Sequence, residues 1–131
     1  SNNTCDLFEE GRNAALTART RENKKRLVTA REILQTMTIG GARAMQIEAL
    51  TGSLEPGKQA DLAVVALSNP AQQPVSDIYA SVVFASGARD VVATYVAGQA
   101  VYEGGRSVLG DDEQILRKAL EIGKKLRDAR N

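Results

Sequence analysis

Histidine and tryptophan are absent from the 131 residues, and cysteine occurs once, at Cys5. Without an imidazole the chain lacks the usual nitrogen ligand of zinc and the usual general base, so a self-contained zinc centre and a Ser-His or Cys-His nucleophile pair are excluded. A lone cysteine closes no internal disulfide, and Cys5 has no histidine to activate it. Neither a signal peptide nor a run of about eighteen apolar residues is present, so a cytoplasmic setting without a membrane span is expected. Aromatic residues are scarce at 4 %: Phe8, Tyr79, Phe84, Tyr95 and Tyr102. The core therefore has to come from Ala, Val, Leu and Ile, and no basic-aromatic interleaving exists to stack on nucleic-acid bases.

A 43 % hydrophobic content is enough for one domain with a packed interior. Seventeen basic and sixteen acidic residues nearly cancel. The basic residues crowd two places, Arg19, Arg21, Lys24, Lys25 and Arg26 in one and Arg117, Lys118, Lys124, Lys125, Arg127 and Arg130 in the other. Interspersed Glu22, Glu113, Glu121 and Asp128 make these polar, solvated faces rather than phosphate sites. No nucleic-acid or membrane partner is expected.

The first helix is expected after an Asn3 or Thr4 cap, with Leu7, Ala14, Ala15 and Ala18 on its apolar face, Phe8 beside it and Gly11 as a tolerable weakness. Thr20 to Arg26 ends it. Thr29 and Glu32 have capping-box spacing before Ile33, Leu34 and Met37, and Gly40-Gly41 is expected to break or bend that helix before Ala42 to Met45. Pro56-Gly57 suits the central pair of a type II turn. Leu62 to Leu67, six apolar residues without alternation, predict a strand covered on both faces. Ser68 to Asp77, with Pro70 and Pro74, reads as irregular chain. Ile78 to Ser86 reads as a short helix capped by Asp77 and stopped by Gly87, although its β-branched residues also suit a strand. Val91 to Val96 and Gln99 to Tyr102 flank Ala97-Gly98 as a hairpin, a weaker turn than Asn-Gly because alanine resists the left-handed region, and Gly104-Gly105 closes its second strand. The last helix starts at Asp111 or Asp112 and carries Ile115, Leu116, Ala119, Leu120, Gly123 and Leu126 as one stripe expected to pack.

The groups that could carry chemistry have simpler explanations. Glu9-Glu10 and Asp111-Asp112-Glu113 suit helix ends, and adjacent carboxylates on a helix diverge by about 100 degrees. Ile39-Gly40-Gly41-Ala42-Arg43 matches neither a P-loop nor a dinucleotide-binding turn. Arg43 and Arg106 remain weak anion-binding candidates. No catalytic, cofactor-binding or metal-binding residue is assigned.

The run Thr51-Gly52-Ser53-Leu54-Glu55-Pro56-Gly57-Lys58-Gln59-Ala60-Asp61-Leu62 resembles the characteristic C-terminal segment of the amidohydrolase superfamily, where the chain returns from a (β/α)8 barrel to a small β-sandwich. Thr36 to Met45 resembles the preceding family helix, with Gly40 in place of the usual asparagine. Ser1 to Glu10 resembles the segment after the last barrel strand in the branch of chlorohydrolases, guanine deaminase and methylthioadenosine or S-adenosylhomocysteine deaminases. Phe84-Ala85-Ser86-Gly87 with Asp90-Val91, and Val96 to Gly104, resemble that branch's final helix and hairpin, with Ala97 replacing a common Asn or Asp.

The resemblance implies an α+β C-terminal fragment, covering the last third or less of such an enzyme. Residues 1–50 would be the helical remainder of the barrel, 51–110 a partial β-sandwich with a short helix, and 111–131 a C-terminal helix. In the family the metal-binding histidines and aspartate precede this region, and none maps here: Asp6 stands on the wrong side of Ser1-Asn2-Asn3, and Asp61 belongs to the sandwich motif. The parent is implied to be a hydrolytic, deaminase-like enzyme using zinc or another divalent metal, with this piece inactive alone. Its implied partners are the missing barrel and N-terminal strands, or a second copy through unpaired strand edges. The rival expectations are an independent non-catalytic interaction domain derived from the same fold, whose partner could recognise the basic last helix, and an unrelated small α+β domain.

Overall fold

The computed structural model describes residues 5–20 and 27–129. Helix α1 spans Leu7–Thr20. Its start is set by Asp6, whose carboxylate accepts from the amides of Phe8 at 2.9 Å and Glu9 at 3.3 Å. The expected caps Asn3 and Thr4 lie outside the described residues, as do Arg21, Lys24, Lys25, Arg26 and Arg130. The buried positions of α1 are Gly11 and Ala15, while Leu7 and Ala14 face outward. Gly11 packs closely: a methyl group there would meet Met37 Sδ and stand 3.2 Å from Ile33 Cγ2, so the flexible Met37 side chain would have to shift.

Helix α2, Ala30–Gln35, begins with the expected capping box. The Glu32 amide donates to Thr29 Oγ1 at 3.3 Å, and the Glu32 carboxylate accepts from the Thr29 amide at 3.0 Å. Gly40-Gly41 does not break the helical path. A π-helical turn, Thr36–Gly40, leads directly into α3, Gly41–Ala44, and both glycines keep right-handed helical angles. The extra residue of the wide turn is absorbed without a bend strong enough to stop the helix.

Strand β1 is Leu62–Val65, and after a short 3-10 turn at Pro70–Gln72 comes α4, Ile78–Ala80, extended by a π turn through Ala85. Asp77 caps α4 as expected, accepting from the Tyr79 amide at 2.9 Å. Strands β2, Val91–Val96, and β3, Gln99–Glu103, form the anticipated hairpin. Gly104-Gly105 does more than close it, because both adopt positive φ and turn the chain into a further strand, β4, Arg106–Ser107. The sheet is antiparallel in the order β1-β2-β3-β4. Helix α5, Asp112–Asp128, comes last, with Asp111 accepting from the amides of Glu113 and Gln114.

The core lies among helices. Ala15, Ala30, Ile33 and Val83 are buried together, with Leu34, Met37, Tyr79 and Phe84 packed around them. The sheet is less covered than its sequence suggests. Strand β1 is an edge strand whose Ala63 and Val64 are exposed, Val64 by 43 %. The expectation of cover on both faces therefore fails within this chain. Helix α5 departs from expectation in the same way: none of its residues is buried. Among the described residues no helix is long and apolar enough to cross a membrane.

Candidate functional site

The Thr51–Leu62 run forms a clasp between the helices and the sheet. At its start Gly52 has φ +92°, and a methyl group there would stand 2.6 Å from Ala42 Cβ and 3.0 Å from Ile39 Cα. The loop backbone therefore lies directly against the α2–α3 helical run. Ser53, Glu55 and Lys58 then tie the loop to itself. Lys58 Nζ is 2.7 Å from Ser53 Oγ and 3.3 Å from Glu55 Oε1, and the Ser53 hydroxyl donates to the same carboxylate. The hydroxyl, with Lys58 behind it, holds the Glu55 carboxyl below the ordinary range. Pro56-Gly57 forms the expected turn, with Gly57 at φ +93° and the Lys58 amide donating to the Glu55 carbonyl at 3.2 Å.

Asp61 completes the clasp. Its carboxylate accepts from the Ala97 amide at 2.6 Å, across to the β2–β3 turn where Ala97 sits at φ 49°. The Ala97 amide and then the Thr51 hydroxyl lower the Asp61 pKa. This grip holds an alanine in a region it resists, so the Ala-Gly turn forms despite its weak local preference. The side chains of Thr51, Ser53, Glu55, Lys58 and Asp61 are thus engaged in structural contacts.

A second polar junction fixes the end of α4 to the sheet. Gln72, 3 % exposed, donates from Nε2 to the Ala66 carbonyl at 3.0 Å and to Ser86 Oγ at 2.8 Å, and accepts from the Asn69 amide at 2.8 Å. Ser86 Oγ donates onward to the Ser81 carbonyl, and buried Asp90 accepts from the Gly87 amide at 2.9 Å. Ser86, not Gly87, leaves the helix, with an extended backbone. Arg12 reaches this junction from α1 and donates to the Ser86 carbonyl at 2.6 Å, while its Nε is buried without a partner. Asp6 also accepts from the Ala88 amide at 3.2 Å. Its carboxylate is thus committed to capping α1 and anchoring the segment before β2. Sequence reasoning missed Arg12, Gln72 and Ser86, since the partners of Arg12 and Gln72 include distant backbone carbonyls that no local pattern announces.

Between the helical layer and the sheet opens an apolar groove of about 1110 Å³, lined by Phe8, Leu34, Met37, Leu62, Val65 and Val91 among others. Of the residues weighed from the sequence, Cys5, Asp6 and Asp61 line this groove, the two carboxylates through the structural contacts already described. Cys5 is exposed; Glu9 and Glu10 are exposed on α1, Arg43 on α3, Arg106 on β4, and Asp112 and Glu113 on α5, outside the groove, and Asp111 is a helix cap. From the basic clusters, Arg19 lies over the Phe84 ring at 5.1 Å, a packing contact.

The helical layer is thus seated on the antiparallel sheet by the clasp, with an apolar face left open between them. Residues 1–101 match the amidohydrolase family, and the chain belongs to it. It is 32 % identical to the 5'-deoxyadenosine deaminase of Methanosarcina mazei over 126 residues, which cover 96 % of this chain and 29 % of that protein. It is 36 % identical to the 5-methylthioadenosine/S-adenosylhomocysteine deaminase of Moorella thermoacetica over 115 residues, 88 % of this chain and 27 % of that one. Among solved structures, a zinc-bound adenosine deaminase from Xanthomonas campestris superposes with a TM-score of 0.88 at 30 % identity, over 93 % of this chain and 28 % of the other. An atrazine chlorohydrolase from Arthrobacter aurescens complexed with zinc gives 0.76 at 27 % identity, over 87 % and 25 %. The chain thus spans under a third of the length of these relatives.

Proposed function

We propose that this chain is the supporting C-terminal portion of a cytoplasmic, metal-dependent amidohydrolase that hydrolyses a C–N bond on an aminated heterocycle, and that it holds the architecture rather than the reacting groups. The observation that carries this reading is the match itself: 96 % of the chain aligns with under a third of a deaminase acting on a deoxyadenosine. In this reading residues 1–50 supply the last helices of a (β/α)8 barrel, and the clasp and sheet supply part of a β-sandwich. The free edge of β1 and the apolar groove then receive the remaining strands and barrel. That would restore the two-sided cover which the apolar run Leu62 to Leu67 calls for.

Zinc, or another divalent metal, would be held elsewhere in the whole protein. The side chains present here do not fit such a centre: the sequence has no histidine, and among the described residues no three of Cys, Asp and Glu gather to hold an ion. The contribution of this chain to the reaction is to keep the barrel's last helices in register with the sheet.

Two measurements test this. The purified chain, given zinc, iron or manganese and a panel of aminated and chlorinated heterocycles, is expected to release neither ammonia nor chloride. Metal-dependent turnover would overturn the reading. A chimera in which this chain replaces the aligned segment of the Methanosarcina mazei deaminase is expected to fold and to release ammonia from 5'-deoxyadenosine. A well-folded but inert chimera would count against the shared architectural role.

A further inference from the structure

Helix α5 carries an apolar stripe that is open among the described residues: Ile115, Leu116, Leu120, Ile122 and Leu126 are each between 58 % and 64 % exposed. At about 100 degrees per residue, Ala119 and Gly123 fall at the centre of this stripe. A methyl group on Gly123 would meet nothing within 4 Å. The stripe therefore has a smooth middle onto which another helix could settle closely.

The charges along the helix say which helix that is. Acidic Asp112 and Glu113 occupy the first turn and basic Lys125 and Arg127 the last. We propose that α5 pairs antiparallel with α5 of a second copy of this chain, about a two-fold axis passing between Ala119 and Leu120. In that register Leu116 lies over the bare Gly123 of the second copy, and Asp112 lies opposite its Arg127. On one flank Glu113 meets Lys124 and Arg127. Antiparallel helices place like flanks together, so each of these contacts joins opposite charges and each occurs twice. A parallel pair would stack Asp112 on Asp112 and Arg127 on Arg127, and would be repelled at both ends. The pairing also aligns the two helix dipoles head to tail. The same stripe laid against an unrelated surface would gain no such correspondence. One helix pair of this length is smaller than a permanent interface, so the dimer is expected to exchange with monomer.

The test separates this pairing from association through the groove or the β1 edge. Sedimentation equilibrium of the 131-residue chain over about three decades of concentration around the micromolar range is expected to show a monomer–dimer equilibrium. Leu120→Asp should abolish it and Val64→Lys should not. Because no residue of α5 is buried among the described residues, Leu120→Asp should leave the unfolding midpoint unchanged at concentrations where the chain is monomeric. Glu113→Lys alone, and Lys124→Glu with Arg127→Glu, should each weaken the dimer about ten-fold, and all three together should restore it. In a Cys5→Ser background, oxidation should cross-link copies carrying Ala119→Cys, near the axis, but not copies carrying Leu116→Cys. A monomer throughout, a dimer indifferent to Leu120→Asp, no rescue in the triple charge reversal, or cross-linking through Leu116→Cys would each overturn the proposal.

Discussion

Replacing Gly52 by alanine tests whether the clasp is held by contact or merely by turn geometry. Gly52 and Gly57 have nearly the same φ, +92° and +93°, so a side chain at either carries a similar left-handed cost of roughly 1–2 kcal/mol. Their surroundings differ. A methyl group at Gly57 meets nothing within 4 Å, whereas at Gly52 it stands 2.6 Å from Ala42 Cβ and 3.0 Å from Ile39 Cα. Neither atom can rotate away, since one is a β-carbon and the other backbone, so the loop and the α2–α3 run must separate. Overpacking of this kind costs about 1–3 kcal/mol more. Gly57→Ala should therefore lose about 1–2 kcal/mol and Gly52→Ala about 2–5 kcal/mol, a large share of the stability of a small domain. Urea denaturation monitored by far-UV circular dichroism, with both variants analysed at a common slope, gives the difference directly. Equal midpoints for the two variants would refute the claim that the loop backbone is pressed against the helix.

The polar contacts of the clasp and the α4 junction make three further outcomes testable. Asp61 has a folded pKa below its unfolded value, so its contribution is fully present above about pH 4 and fades as the pH falls through the lower, folded value; Asp61→Asn, which can still accept from the Ala97 amide, should flatten the acid side of the stability–pH curve, and an unchanged curve would show that the carboxylate is not coupled to folding. Gln72→Leu strands the Ala66 carbonyl and the Asn69 amide and removes the donor to Ser86 Oγ, for a loss of about 2–3 kcal/mol in urea denaturation, and a change under about 0.5 kcal/mol would mean that water replaces the amide. Ala97→Gly relieves the positive φ of the hairpin turn and should raise stability by about 1 kcal/mol, whereas a lowered midpoint would show that the turn is not strained.

Local grammar made much of this fold legible. The Thr29–Glu32 box, the Asp77 and Asp111 caps and the Pro56-Gly57 turn depend on neighbours within a few residues, and each forms as its spacing indicates. Where a residue's role is set by a distant contact, spacing misleads. Gly11 reads as a helix weakness until Met37 is seen against it, and Gly40-Gly41 reads as a break although the chain runs through it as a π turn. The two-residue strand β4 is too short to carry a pattern. The apolar run at β1 and the stripe on α5 were legible as surfaces that want cover, but sequence does not say that the described chain leaves them exposed. At the clasp, the motif located the segment and gave the Pro56-Gly57 turn, while the reach of Asp61 to Ala97 across the sheet became visible only in three dimensions.

The Thr51–Leu62 clasp does its job with a turn, a few hydrogen bonds and a close backbone approach, none of which involves a reacting atom. Its presence in a polypeptide therefore reports kinship and assembly, and it is as compatible with a silent protein as with an active one. Sorting sequences by this segment alone would therefore report the family and say nothing of the reaction.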